Sequence, residues 1–303
     1  MKPMWSLCWL LLVWEMAAAM STKVLVTGAA GKTGQLVFEA LDQHANFEPK
    51  ALVRSEASAK KLRKKTGAGL DQIVVCDVTE MDHDMSLDGC EAMIICTSAV
   101  PSISKVSLLK SFLKAPINML RGKKAIDFRA MKFVWKKGQY PEMVDYHGQV
   151  KQIDLAKKLR MKHVVIVSSM GGTDPSNFLN SVGKNPDGSG NGDILLWKRK
   201  AEKYLVDSGL DYTIIHPGGL KDTPAGQEAL VLDVDDKLLE NKKRSISRGD
   251  VANLCVAALT VGKGRSVALD CITQEVEDGA TVPSAEEALQ SFLESSPVYD
   301  YSR

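Results

Sequence analysis

The chain has no CxxC pair, no histidine at zinc-ligand spacing from a cysteine and no Asn-x-Ser/Thr acceptor. Its six cysteines (Cys8, Cys76, Cys90, Cys96, Cys255 and Cys271) therefore carry no structural-zinc pattern. A chain of 303 residues, 45% of them hydrophobic, builds an ample core without staples, so free thiols and a reducing compartment are expected. An excess of one charge is also missing: 39 Lys/Arg face 37 Asp/Glu, which excludes a bulk electrostatic nucleic-acid binder. No heptad, collagen-like period or longer repeat is visible, and the apolar content excludes a disordered chain.

A long apolar run, 5–14, follows Lys2 and precedes Ala17-Ala18-Ala19. It is short for a membrane span and has the layout of a secretory signal; the alternative is an upstream extension with Met20 as working start. The missing glycosylation acceptor disfavours the secretory route, and no Arg/Ser-rich transit segment follows. Cytoplasmic residence is the expectation, with the secretory pathway or plastid as alternatives. Residues 1–20 are set aside, and 21–303 are expected to form one domain.

From residue 23 onward, short apolar runs alternate with helical patterns. The runs are 23–26, 51–54, 73–76, 93–97, 163–168, 212–216 and 266–270. Several are continuously apolar, as parallel strands buried on both faces are. Between them, Leu36, Val37, Ala40 and Leu41 recur at helical spacing, as do Val150, Ile153, Ala156 and Leu159. This order predicts an α/β fold, a single-domain, Rossmann-type doubly wound parallel sheet. Two long connections interrupt it: 101–140, strongly basic, and 171–192, rich in Gly, Asn, Asp and Ser and read as a mobile loop. Both follow strand C-termini, the side on which open α/β sheets bind ligands. A last helix is expected around 285–293, before a tail that carries no signal.

The most informative motif is Thr27-Gly28-Ala29-Ala30-Gly31-Lys32-Thr33-Gly34, at a strand-to-helix junction. Gly28 permits the tight turn, Gly31 lets backbone approach a pyrophosphate, and Gly34 allows close helix–strand packing. The helix N-terminus then offers N–H groups and partial positive charge to phosphates. The second strand ends Leu52-Val53-Arg54, with Arg where an NAD enzyme places a carboxylate. A carboxylate repels a 2′-phosphate and an Arg fork binds it, so the cofactor predicted is NADP(H). Asp77-Val78, after the third strand, is placed for the adenine. Thr97-Ser98-Ala99, after the fourth, borders the ribose and nicotinamide side.

The TGAxGxTG turn, the LVR strand end and Ser168-Ser169-Met170-Gly171 resemble an atypical short-chain dehydrogenase/reductase. So do Tyr212-Thr213-Ile214-Ile215, Pro217-Gly218-Gly219-Leu220 and Arg248-Gly249-Asp250-Val251-Ala252. Gly138-Gln139-Tyr140-Pro141-Glu142, Gly148-Gln149 and Trp197-Lys198-Arg199-Lys200-Ala201-Glu202 narrow this to the NAD(P)H-binding, NmrA-like branch and a group of small plant NADP-binding proteins. The resemblance covers about 23–270. It implies bound NADP(H), with Gly28, Gly31, Lys32, Thr33, Gly34 and Arg54 on the phosphates. Asp77, Val78, Thr97 and Ser98 would hold adenosine and ribose. The broader branch includes flavin-, biliverdin- and quinone-type reductases and redox sensors without turnover.

Ordinary members of that superfamily use a Tyr acid four residues before a Lys, with a Ser that orients the substrate carbonyl. Lys200 fits the Lys, and Ser168 with Ser169 stands where the Ser belongs, but Leu196 occupies the Tyr position. Alcohol–ketone chemistry and sugar epimerisation need an acid there. Flavins and quinones take their proton from solvent, so proximity to the nicotinamide suffices. A small conjugated acceptor reduced by hydride transfer is therefore the expected substrate; a non-catalytic NADP(H) sensor acting on a protein partner is the alternative. Tyr140 and Tyr146 are stand-in acids only if the basic connection folds over the site. His216 reads as a packed histidine, Lys151 as a replacement for a polar brace and Trp197 as core. The basic connection, with Phe128, Phe133 and Trp135, has the composition of a nucleic-acid or membrane patch, but is read as a lid over a polyanionic cofactor. No nucleic-acid partner, no stable membrane span and no metal are expected.

Overall fold

The β-branched run Thr22–Thr27 forms β1, with Val24, Leu25 and Val26 fully buried. In this computed structural model residues 21–81, 87, 89–120, 122, 132–185, 187–277, 279–295 and 297–302 are described. The segment 1–20, Asp127 and Phe128 lie outside them. Helix α1 (Lys32–Asp42) presents Val37, Phe38 and Leu41 to the sheet and leads to β2 (Phe47–Val53). Helix α2 (Glu56–Thr66) is fixed at both ends: the Ser55 hydroxyl accepts from the Ser58 N–H, and Gly67 closes it in the left-handed region. It returns the chain to β3 (Ile73–Val75), and β4 (Cys90–Ile95) follows.

The long basic connection contains β5 (Ser102–Ile103), α3 (Lys105–Leu120) and β6 (Phe133–Val134), the two strands pairing antiparallel. A π-helical turn (Glu142–His147) runs into α4 (Gly148–Lys158) and β7 (His163–Val167). The second long connection is ordered by named contacts rather than being a featureless mobile loop. It holds the short helix α5 (Phe178–Ser181), the Asp236 carboxylate accepts from the Gly171 and Thr173 N–H groups, and Lys184 pairs with Asp193 at 2.6 Å. Then come α6 (Ile194–Val206), β8 (Tyr212–Pro217), β9 (Gly219–Lys221), β10 (Ala229–Asp233) and a 3₁₀ turn (Lys237–Glu240). The chain ends with β11 (Ser245–Ser247), α7 (Arg248–Thr260), β12 (Val267–Gln274) and α8 (Ala285–Glu294), the last opened by a Ser284–Glu287 capping box.

The main sheet has the order β10-β12-β8-β7-β4-β1-β2-β3. All its pairs are parallel except β10 with β12. Moving from β1 to β2 the chain runs one way along the sheet; moving from β4 to β7 it runs the other. With right-handed crossovers this reversal puts α1 and α4 on opposite faces and opens a crevice between the C-termini of β1 and β4. The fold is the doubly wound Rossmann type expected. β10 is an addition: its residues are half-buried throughout, so the alternation that marks a strand is absent and only its pairing with β12 reveals it.

Candidate functional site

The crevice is lined by the ends of five neighbouring strands. At the end of β1, Gly28 has φ +66°, and a Cβ there would lie 2.9 Å from the Cys96 carbonyl carbon and oxygen and 3.0 Å from the Thr97 nitrogen. Gly31 is the N-cap of α1; no side chain caps the helix and no acid stands in its first turn. The first-turn N–H groups therefore face outward with an anion's preference built in. Gly34 is buried on the turn itself, where a Cβ would meet the Gly28 carbonyl carbon at 2.9 Å. Lys32 is exposed and pairs with Asp222 at 2.5 Å, which also holds Arg248 at 2.5 Å. Thr33 follows in the same first turn.

Arg54, at the end of β2, donates from Nη1 to Gln139 Oε1 at 2.8 Å. Gln139 in turn donates from Nε2 to Asp77 Oδ2 at 3.2 Å, and Asp77 Oδ1 caps the Thr79 N–H and hydroxyl. The strand ends of β2 and β3 are thus joined by Gln139, a residue of the basic connection to which the sequence alone assigns no role. Val78 is buried against Gly148 at the start of α4. At the end of β4, Gln149 donates to the Thr97 carbonyl and Gln152 to its hydroxyl, while Ser98 is exposed. Three fully buried oxygens here, Thr27 Oγ1, Gln149 Oε1 and Gln152 Oε1, have no hydrogen-bond partner. A polar ligand between β1 and β4 would relieve such unpaired groups. The close-approach glycines, bare helix N-terminus and unpaired oxygens fit a dinucleotide. Lys151, expected in place of a polar brace, donates to the Thr79 carbonyl at 2.8 Å.

The two residues assigned to chemistry are not brought together. Ser168 stands at the end of β7, buried, and its hydroxyl donates to Glu202 Oε1. Lys200 is exposed on another face of α6, its ammonium 4.1 Å from the Trp197 ring centroid and 5.9 Å from that of Tyr146. Two residues along a helix is a rotation of about 200°, and the lysine that turns inward is Lys198. It is buried and pairs with Asp145 at 2.8 Å, while Asp145 Oδ2 accepts from the Ala99 N–H at 2.9 Å beside the end of β4. Four residues before Lys198 stands Ile194, so the acid position is apolar in either register. Tyr146 lies with Trp197, ring centroids 5.8 Å apart, on the side of α6 that carries Lys200.

Behind Ser168 is a charged network. His216, at the end of β8, sits between Glu202 Oε2 and Asp270 Oδ1, each at 3.2 Å, and all three are buried. Burial opposes the imidazolium, but the two carboxylates outweigh it and raise His216 to about 9. Burial likewise works against the Glu202 charge, yet His216, Ser168 and Arg199 hold it below the usual carboxylate range. Asp270 is pushed up by burial. The tail packs on this network: Tyr299 lies 4.7 Å from the His216 ring, the Tyr301 hydroxyl donates to Glu202, and Arg199 lies over both tyrosines and donates to the Asp300 carbonyl. Two clefts lie elsewhere: one of about 330 Å³ between α1 and α7, and one of about 830 Å³ between β10 and α8.

Residues 28–261 match a family model described as NAD(P)H-binding. The chain is 42% identical over 253 residues to sanguinarine reductase of Eschscholzia californica, covering 82% of this chain and 87% of that one. It is 40% identical over 249 residues to an uncharacterised chloroplastic protein of Arabidopsis thaliana, covering 82% and 68%. Among solved structures it resembles an oxidoreductase from Lactococcus lactis, with TM-score 0.56 and 22% identity over 90% of this chain and 97% of that one. A short-chain dehydrogenase/reductase of Veillonella parvula in complex with NADP gives TM-score 0.51 and 12% identity over 88% and 100%. These two likenesses show the fold. Together with the crevice, the sequence matches establish that the chain belongs to the NAD(P)H-binding family.

Proposed function

We propose that the protein is an NADPH-dependent reductase of a small, flat, conjugated acceptor such as a flavin or quinone. The carrying observation is that the strand ends frame a crevice suited to a dinucleotide with Ser168 at the end of β7, while the acid position is apolar, Leu196 or Ile194 by either register, which restricts the acceptor to one that solvent protonates. When bound, NADPH supplies a hydride. The chain's part is binding and orientation: the turn from Gly28 to Gly34 receives the pyrophosphate, and Arg54 receives the 2′-phosphate. Asp77 and Val78 meet the adenosine, and Thr97 and Ser98 the ribose side. Lys198, rather than Lys200, is the lysine placed to hold the nicotinamide ribose. Because the Ser168 hydrogen is committed to Glu202, its hydroxyl has only lone pairs left, so it orients an acceptor that carries an N–H donor, as a flavin ring does, and protonates none. The proton then comes from water, which suits acceptors whose reduced form solvent can protonate. A relative named as a reductase supports the same role.

Taken by itself, the missing acid favours a second reading, an NADP(H) sensor without turnover that reports to a protein partner. As to compartment, Cys76, Cys96, Cys255 and Cys271 are free thiols, which fits the reducing cytoplasm or plastid stroma, and the chloroplastic relative supports the latter.

The test follows NADPH oxidation by the full chain across a panel of flavins and quinones. Saturable turnover is expected, and tight NADPH binding with no turnover on any acceptor would establish the sensor instead. Arg54→Ala should weaken NADPH binding by about tenfold or more and leave NADH nearly unchanged, from the worth of a charge-assisted hydrogen bond. Equal losses for both cofactors would remove the NADP assignment.

A further inference from the structure

A helix on a protein surface ordinarily turns its apolar stripe inward. Helix α3 does the reverse. Among its described side chains, those of Ser107, Leu108 and Ala115 are half-buried, whereas Val106, Leu109, Phe112, Leu113, Met119 and Leu120 are 56–89% exposed. At about 100° per residue these six fall in a single sector roughly 140° wide. No described residue covers it. An apolar patch of this kind marks a surface that something else occupies.

The surrounding charge selects the occupant. Residues 101–140 carry ten Lys/Arg (Lys105, Lys110 and Lys114 on the helix itself) against the single Asp127. A second copy would bring two such strongly basic segments together. The stripe is also the outside of one helix, a convex surface, which suits a deformable partner. Sixteen residues of helix span about 24 Å, less than the roughly 30 Å of a bilayer's hydrocarbon core. No described helix is long and apolar enough to cross a membrane. We propose that α3 is an interfacial helix that docks the protein on an anionic lipid surface, its apolar stripe entering the headgroup boundary and the basic residues meeting lipid phosphates. This inference is independent of the reductase reading.

The experiment is flotation of the full chain with phosphatidylcholine vesicles, with and without 30% phosphatidylglycerol (on the order of a plastid or inner-leaflet anionic content). Binding is expected only to the anionic vesicles, with a severalfold loss in high salt. The double substitution Leu109→Glu and Leu113→Glu, at exposed positions, should reduce the bound fraction at least about tenfold while thermal unfolding stays unchanged. Lys110→Glu with Lys114→Glu should abolish the preference for anionic lipid. Absence of binding to anionic vesicles overturns the proposal. So does binding that survives the double substitution, which would assign it to residues 1–20. If the same substitution instead converts a dimer to a monomer by light scattering, the face belongs to a second copy and the lipid reading fails.

Discussion

His216 shows how a side chain's chemistry is set by partners far away in the chain. It reads as a packed histidine, and it is one; that it carries a charge follows from Glu202, on α6, and Asp270, on β12. Neither carboxylate is marked in the sequence, because a glutamate in a helix and an aspartate in a strand look like solvated residues until topology brings them inward. The groups facing the ring are those two, Tyr299 from the tail and, one step removed, Ser168, Arg199, Tyr301 and Asp236. Its folded pKa of about 9 exceeds the ordinary 6.5, so its stabilisation is complete below about 6.5 and lost as pH rises through about 9. The wild-type melting temperature should therefore fall between pH 7 and pH 10 through this group. His216→Gln, which is uncharged throughout, should be less stable at pH 6 and show a flatter profile across that window. A variant profile parallel to the wild type would mean that the imidazole is neutral in the fold.

Strand and helix order were legible because burial on both faces of a parallel sheet writes continuous apolar runs, and because α1 and α4 show their stripes. The glycine turn was legible for a different reason: backbone demands at Gly28 and Gly34 restrict residue type whatever the surroundings. Gly28→Ala places a side chain in the left-handed region and against the Cys96 carbonyl, so it should cost about 2–4 kcal/mol of stability and more than tenfold in NADPH affinity. Thermal unfolding and cofactor titration check this, and wild-type values for both would show that the turn adapts. What the sequence left open was rotation about the α6 axis. Lys198 and Lys200 are chemically alike, and the choice between them is made by Asp145, 53 residues upstream, which gives the inward one a counter-charge. The π-helical turn that presents Asp145 has no compositional signature either.

Across the entire fold, the sequence located the two long connections on the correct edge of the sheet but not their contact with one another. Nor did it predict that the tail would close over the Glu202–His216 pair, since Tyr299 and Tyr301 belong to no periodic element. The segment 132–140 has neighbours at both ends of the crevice. Gln139 bridges Arg54 and Asp77, and four residues earlier the Trp135 indole rests on Gly183, in the connection that leaves β7. A nucleotide held by Arg54 and Asp77 would displace or recruit Gln139, and through it would shift the segment that carries Trp135. The order in which two substrates arrive should thereby become compulsory: nucleotide first, acceptor second. Initial-rate patterns would then show NADP+ competing with NADPH but not with the acceptor, and Gly183→Ala, whose methyl strikes the indole, would turn a compulsory order into a random one.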